Sequence, residues 1–240
     1  MKLIIDIGNS SAKLALYRGT SKVALHKMEI VTRAAMTELL KKHSPDKAII
    51  SSVREIPSFL PKLLADNMDY YHILSSQTVL PFSAKYDTPD TLGPDRLASV
   101  AGAAMNFPGS DALVIDAGTA ITFDMLLNGE YQGGAISPGI EMRFRALNIF
   151  TGKLPLVNRS GKVSFPAKTT EASINAGVIS GVIFEINEYI RTFITKHTDT
   201  KVILTGGDGA FLKDLITGSV MYLPDIVTDG LNFILDNNAK

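Results

Sequence analysis

Aliphatic runs closed by an Asp-x-Gly turn occur twice along the chain. Residues 3–10 read LIIDIGNS and residues 113–120 read LVIDAGTA. A short apolar run ended by a turn signal predicts a buried strand. After the first run, Ala12 to Tyr17 alternates, with Lys13, Ala15 and Tyr17 on one face and Leu14 and Leu16 on the other, which predicts a second strand. After the second run, ITFDMLL leads to Asn128-Gly129, a tight hairpin signal. Third strands are predicted at Lys22–Ile30 and Glu130–Ile136. Each half therefore opens with an antiparallel three-strand meander.

Helical spacing and further apolar runs follow each meander. Ala34–Lys42 and Leu60–Asn67 predict helices, and Lys47–Val53 and Tyr70–Leu74 predict strands. Leu97–Asn106 is rich in alanine and is opened by Gly93-Pro94-Asp95, a helix-start signal because proline suits the first turn. In the second half, Met142–Phe150 and Ile174–Lys196 have helical spacing, Lys201–Leu204 predicts a buried strand, and Ala210–Ile216 has helical character. Thr151–Thr170 lacks periodicity, and a loop that long inside a compact chain is usually functional. The order predicts a duplicated α/β architecture, split near Gly109-Ser110 into domains at 1–110 and 111–240. The other reading is one mixed sheet with two unrelated Asp-x-Gly turns.

Composition narrows the function. The 240 residues correspond to about 1.6 domains at ~150 residues each, and 45% are hydrophobic, enough for a full core. Lys plus Arg and Asp plus Glu both number 24. Phosphate neutralisation drives duplex binding and leaves a basic excess or a basic run; neither is present, so no nucleic-acid partner is expected. The absence of cysteine removes disulfides, thiolate metal sites and a catalytic thiol. Asp6 interrupts the N-terminal apolar stretch too early for a signal peptide. Ile174–Ile186, broken by Asn175 and Glu185, is too short to span a bilayer. A soluble cytoplasmic protein without a membrane partner is expected.

Candidate chemistry gathers at the glycine turns. In Asp6-Ile7-Gly8-Asn9-Ser10, Gly8 permits a tight turn and close ligand approach. The backbone amides, Asn9 and Ser10 can donate to phosphate oxygens. Asp6 can hold the accompanying Mg²⁺ directly or through water, and Lys13 offers a positive charge to a terminal phosphate. An ordinary β-turn with a solvated aspartate is the other reading of this motif. Asp116-Ala117-Gly118-Thr119-Ala120 makes a second such turn, and the pair could clamp a triphosphate. Asp124 reads equally as a further carboxylate or as a surface charge.

Three further stretches carry polar or glycine signals. Gly206 and Gly207, in TGGDGA after a strand, suit backbone approach to a nucleotide at a helix N-terminus. In Gly93-Pro94-Asp95-Arg96, Asp95 can accept a proton from a substrate hydroxyl and Arg96 can receive a carboxylate or phosphate. A plain helix cap is the alternative there. Gly133–Ile140 is a small-residue run that reads equally as substrate approach or as tight packing, and Tyr86 could wall a substrate pocket or, as tyrosines more commonly do, sit in the core. The four histidines show no metal spacing and read as surface residues.

Taken in order, DIGNSSAKLALY, GPDRLASVAGA, DAGTAITFD, GGAISPGI and TGGDGA resemble the type III pantothenate kinases of the actin and sugar-kinase superfamily. The resemblance spans Met1 to beyond Ala210. It implies two similar actin/RNase H-like domains, each a mixed sheet flanked by helices, with a dimer interface on the second. By the same resemblance, Asp6 to Lys13, including Ser11, forms the first phosphate motif, and Thr119 contacts ATP. Asp116 binds a monovalent cation, K⁺ or NH₄⁺, required alongside Mg²⁺. Asp95 is the proton acceptor, and Gly93, Pro94 and Arg96 line the pantothenate site. Tyr86 takes the place of an aromatic substrate contact, and Thr170 matches the threonine that serves a partner subunit's substrate site. The expected activity is ATP-dependent phosphorylation of pantothenate, the first step of coenzyme A biosynthesis. The alternatives are a non-catalytic nucleotide-binding regulator of the same fold and a kinase for another small alcohol.

Overall fold

Backbone hydrogen bonds join the strands into two sheets, each with its most apolar strands inside. A computed structural model describes residues 1–197 and 200–239. In the first part of the chain, β1 (Lys2–Ile7), β2 (Ala12–Arg18) and β3 (Ser21–Met28) form the meander. Then come α1 (Arg33–His43), β4 (Lys47–Ser52), α2 (Phe59–Ala65), β5 (Tyr70–Ile73), β6 (Ser83–Ala84) and α3 (Pro94–Asn106). The second part runs β7 (Ala112–Ala117), β8 (Ala120–Leu127), β9 (Glu130–Pro138), α4 (Ile140–Ile149), α5 (Thr170–Lys196), β10 (Lys201–Thr205), α6 (Gly209–Leu212), β11 (Met221–Tyr222) and α7 (Ile226–Asn238).

The sheet orders repeat. One sheet is β3-β2-β1-β4-β5, and the other is β11-β10-β7-β8-β9-β6. Read from the meander outward, both follow the order 3-2-1-4-5, with β6 added to the second. β1 is antiparallel to β2 and parallel to β4, and β7 is parallel to β10. The aliphatic side chains of β1 and β4 are fully buried, as are those of β7, which fits interior strands covered on both faces.

By contacts the chain forms two compact units. The first is Met1–Gly109, Leu126–Gly133 and Asp225–Lys240; the second is Ser110–Met125 and Gly134–Pro224. In the first unit α1 and α2 pack their apolar faces on one side of the sheet, where Leu3, Ile5, Leu14, Met36, Leu60 and Leu64 form one core. α7 packs against α3, and a Cβ on Gly102 would overlap the Ile226 carbonyl while one on Gly230 would overlap that of Ala98. The two backbones are thus in van der Waals contact, and any side chain there would drive them apart.

Most predicted elements are present, with instructive shifts. The third strand stops at Met28 rather than Ile30, and α3 begins at Pro94, three residues before the predicted Leu97. α5 starts at Thr170, where the Thr169 hydroxyl accepts from the Ala172 N–H, an N-cap that the apolar spacing from Ile174 does not reveal. The helix predicted over Ala210–Ile216 is only the short α6. The two-residue strands β6 and β11 carry no periodic signal; α7 does, since Ile226, Val227, Leu231, Ile234 and Leu235 recur at helical spacing, and it is an element the sequence reading above does not include.

Candidate active site

β1 ends at the first Asp-x-Gly turn, and pairing decides what surrounds its carboxylate. Asp6 lies opposite Lys13 on β2 and opposite Ser51 on β4, so all three side chains share one face of the sheet. The turn closes when the Gly8 N–H donates to the Ser11 carbonyl at 3.0 Å. Asn9 and Ser10 are exposed at its tip, and Ser11 and Lys13 are half-buried. Burial pushes the Asp6 carboxyl up to about 6. Lys13 opposes that rise, the negative charge of Asp95 adds to it, and the Ser51 hydroxyl beside the carboxylate lowers it slightly. The structure thus brings Asp95 within electrostatic reach of Asp6 at the first glycine turn, although the two aspartates lie far apart in sequence.

Asp95 owes its orientation to the start of α3. Gly93 is the N-cap and Pro94 the first helical residue. The Asp95 carboxylate folds back to accept the Arg96 backbone N–H at 2.9 Å, a donor shared with the Gly93 carbonyl at 3.1 Å, and this places negative charge at the positive end of the helix dipole. It lies over Gly93, where a Cβ would sit 2.6 Å from Asp95 Oδ1, so only glycine lets the carboxylate occupy this position. Arg96 is 5% exposed, which excludes a solvated ion pair on the helix surface. Its guanidinium carbon lies 6.0 Å from the ring centres of both Tyr86 and Tyr131. Tyr86 is half-buried, which excludes the core reading.

In the second unit the same construction recurs with one residue fewer in the turn. Asp116 is the penultimate residue of β7, and its neighbour on β10 is Thr205, just as Asp6 neighbours Ser51. The Gly118 N–H donates to the Ala120 carbonyl at 3.0 Å, and Thr119 is exposed at the tip. Thr205 is 1% exposed, and its hydroxyl oxygen has no hydrogen-bond partner among the described residues. Gly206 has φ +90°, and a Cβ there would overlap both the Ala117 carbonyl and the Asp116 carboxylate. Gly207 is exposed beside it, and the turn is held when the Asp208 N–H donates to the Ala117 carbonyl at 2.9 Å. The Gly206 backbone therefore lies directly against the Asp116 carboxylate.

Other expectations need revision. Asp124 is fully buried, so the surface-charge reading is excluded. The short run from Gly133 to Ile140 packs tightly in part, since a Cβ on Gly134 would overlap the Phe123 carbonyl and one on Gly139 the Thr119 carbonyl. Of the histidines only His26 is exposed; His72 is half-buried between Tyr70 and Thr78, bonding Thr78 Oγ1 at 2.8 Å. Thr170 is exposed at the first turn of α5 and borders a groove with Leu147, Leu154, Lys168 and Ser173. Ser51, Thr205 and Tyr131 were missed by sequence reasoning. A signal for the first two existed, because KAIISS and KVILTG extend the internal echo to a second pair of strands.

Among the described residues no group of three or more His, Cys, Asp or Glu side chains could hold a metal ion. The lone, enclosed carboxylate of Asp6 is the kind of ligand by which Mg²⁺ is usually held, completed by substrate phosphates and water. The enclosed, partly repelled carboxylate of Asp6 favours a cation that would neutralise it.

Comparison with known proteins places this geometry. The family model for type III pantothenate kinases matches residues 2–192. A type III pantothenate kinase from Porphyromonas gingivalis is 41% identical over 99% of this chain and 98% of its own length. One from Bacteroides fragilis is 42% identical with the same coverage of both chains. Among solved structures, a Campylobacter jejuni protein whose description places it in the Baf family of transcriptional activators has a TM-score of 0.64 at 24% identity, covering 99% of this chain and 98% of that one. A glucokinase from an Antarctic psychrotroph has a TM-score of 0.51 at 12% identity, covering 98% of each chain; these two likenesses speak to the fold. With a family model spanning most of its length and full-length relatives above 40% identity, the chain belongs to the type III pantothenate kinase family.

Proposed function

We propose that this chain transfers the γ-phosphoryl group of ATP to the 4′-hydroxyl of pantothenate, the opening step of coenzyme A biosynthesis. The observation that carries this reading is the meeting, within the first unit, of a phosphate turn and an acceptor carboxylate. Asp95 is close enough to Asp6 for its charge to raise that carboxyl, and Lys13 stands opposite Asp6 on the next strand.

The roles follow from chemistry. The amides and side chains of Gly8, Asn9, Ser10 and Ser11 donate to phosphate oxygens, and Lys13 offsets charge on the terminal phosphate. Mg²⁺, held by Asp6 directly or through water, supplies charge neutralisation at the β- and γ-phosphates. Thr119, Gly206 and Gly207 contact the nucleotide. Tyr86, Gly93, Pro94 and Arg96 hold pantothenate, with the Arg96 fork on its carboxylate. Asp95 orients the 4′-hydroxyl and takes its proton as the new O–P bond forms and the bond to the β-phosphate oxygen breaks, releasing ADP. Most of the acceleration comes from positioning and charge stabilisation.

Asp116 is assigned to a monovalent cation, K⁺ or NH₄⁺. A carboxylate beside the buried Thr205 hydroxyl, which lacks a partner among the described residues, supports a hard, oxygen-seeking ion there. ADP release measured with ATP, Mg²⁺ and pantothenate tests both assignments. Pantothenate-dependent turnover in K⁺ that falls at least tenfold in Na⁺ alone is the expected result. Turnover equal in both salts removes the cation role. ATP binding with no turnover in either salt shifts the reading to a regulator or another acceptor alcohol.

The enzyme is proposed to work as a cytoplasmic homodimer, with Thr170 serving the substrate site of the second copy. Ile149 and Phe150 at the end of α4, and Phe184, Tyr189 and Ile194 on α5, are exposed large apolar side chains within one unit, the kind of surface that marks association. Light scattering should give twice the chain mass, and Phe184→Glu should shift it towards the monomer. A wild-type monomer at micromolar concentration would remove the dimer from the proposal. No helix among the described residues is long and apolar enough to cross a membrane.

A further inference from the structure

An arginine fork recognises a carboxylate only if its plane is fixed, because both N–H bonds must point at once. The Arg96 stem is long and freely rotating, yet the residue is buried, and something in the fold must hold its guanidinium. Tyr86 and Tyr131 surround it. The guanidinium carbon is 6.0 Å from each ring centre, and the two rings are 6.1 Å apart with planes at 31°. The three groups form a nearly equilateral triangle at the outer range of cation–π attraction.

Tyr131 is the fixed corner of that triangle. It is fully buried on β9, whereas Tyr86 follows the exposed two-residue strand β6. That strand is hung on the tip of the β8–β9 hairpin: the Ser83 N–H donates to the Gly129 carbonyl at 3.2 Å, and the Lys85 N–H donates to the Tyr131 carbonyl at 3.0 Å. The Lys85 ammonium also pairs with Glu130 at 2.8 Å. One residue thus places the Tyr86 segment through its backbone and borders both Tyr86 and Arg96 with its ring.

We propose that Tyr131 is a positioning residue for the acceptor site, fixing the Arg96 fork and the Tyr86 wall so that the enzyme selects an acceptor alcohol bearing a carboxylate. The proposal rests on the reading that Arg96 receives the pantothenate carboxylate. A residue of this kind sets discrimination between acceptors, whereas a merely structural one changes turnover on all acceptors alike.

The test compares pantothenate with its alcohol analogue, in which a hydroxymethyl group replaces the carboxylate. Tyr131→Leu, Tyr131→Met and Tyr131→Phe are each assayed for kcat and KM on both acceptors and for the KM of ATP. The Leu and Met variants are expected to raise the pantothenate KM at least tenfold, with the ATP KM changed less than threefold. Their kcat/KM preference for pantothenate over the alcohol should shrink by a similar factor. Tyr131→Phe, which keeps the aromatic face, should retain the preference. Two variants of different shape guard against one failing to fold. An unchanged preference in a folded Leu or Met variant, or a Phe variant that loses as much as they do, overturns the proposal. Absence of pantothenate turnover in the wild type instead overturns the reading beneath it, and the proposal with it.

Discussion

Asp95→Asn is expected to slow pantothenate-dependent ADP release by about 10²- to 10⁴-fold, the usual contribution of a positioned general acid–base group. Asparagine keeps the side-chain oxygen that accepts the Arg96 N–H at 2.9 Å, so the start of α3 and the fold should survive. The amide has no basic oxygen that can take the hydroxyl proton. Nucleotide affinity should change by no more than a few-fold, because the phosphate turn stays intact. Removing the negative charge also has a second, separable effect. Asp95 contributes to the raised carboxyl of Asp6, so Asp6 should titrate lower in the variant, a shift readable by NMR of the side-chain carboxyl carbon. Wild-type turnover in Asp95→Asn would remove Asp95 from the mechanism, and an unmoved Asp6 would show that the two carboxylates do not communicate.

Asp6→Asn is expected to stabilise the free protein while abolishing most of its activity. The Asp6 carboxyl is raised from 3.8 to about 6, mainly by burial. A group whose folded pKa is raised contributes stability while protonated and loses it as pH rises through the folded value. Below about pH 4 Asp6 is neutral in folded and unfolded chains and costs nothing; above about pH 6 it is ionised in both, and the folded state bears the penalty. That displacement, which already includes the opposing effects of Lys13 and Ser51, corresponds to about 3 kcal/mol at most. The neutral amide escapes it, so denaturant unfolding at pH 7.5 should show the variant more stable by roughly 1–3 kcal/mol. The difference should close near pH 4. Activity should fall at least about 100-fold, because the carboxylate is needed to hold Mg²⁺ against the phosphates. An equal stability difference at both pH values would mean that the amide acts through packing rather than charge. Such a trade of stability for a strained functional carboxylate is common at active sites.

The elements that the sequence announces are those whose pattern is local. KLIIDI and ALVIDA are apolar on both faces because each is an interior strand, and each ends where glycine turns the chain. Asn128-Gly129 closes the β8–β9 hairpin with both residues at positive φ, as that dipeptide requires. Gly93-Pro94-Asp95 marks the start of α3 because those residue types suit a cap and a first turn wherever they occur. The order of the glycine turns was also enough to identify the family, and with it the candidate site residues.

α7 shows why the rest was hidden. Its inward face carries Thr228, Gly230 and Asn232 among the aliphatics, and all three are buried. Polar residues on an inward face dilute the periodic signal of the aliphatics around them, and partners elsewhere in the fold bond them. Thr228 and Asp229 accept from the Tyr17 hydroxyl at 3.0 and 2.6 Å, and Asn232 donates to the Gly19 carbonyl at 3.1 Å. Those partners are more than two hundred residues away in the chain. Asp124 escaped for the same reason, since a carboxylate on an alternating strand looks solvated until the fold encloses it.

From the sequence alone come the repeated meanders, the phosphate turns, the helix cap that bears Asp95 and the family to which these belong, because each depends on neighbours within about ten residues. Tertiary structure alone decides that Asp95 stands within reach of Asp6, that Arg96 is buried between two tyrosines, and that α7 packs on α3. These relations depend on strand register and helix contact between distant segments, and local pattern carries no record of which distant partner a buried polar group will meet.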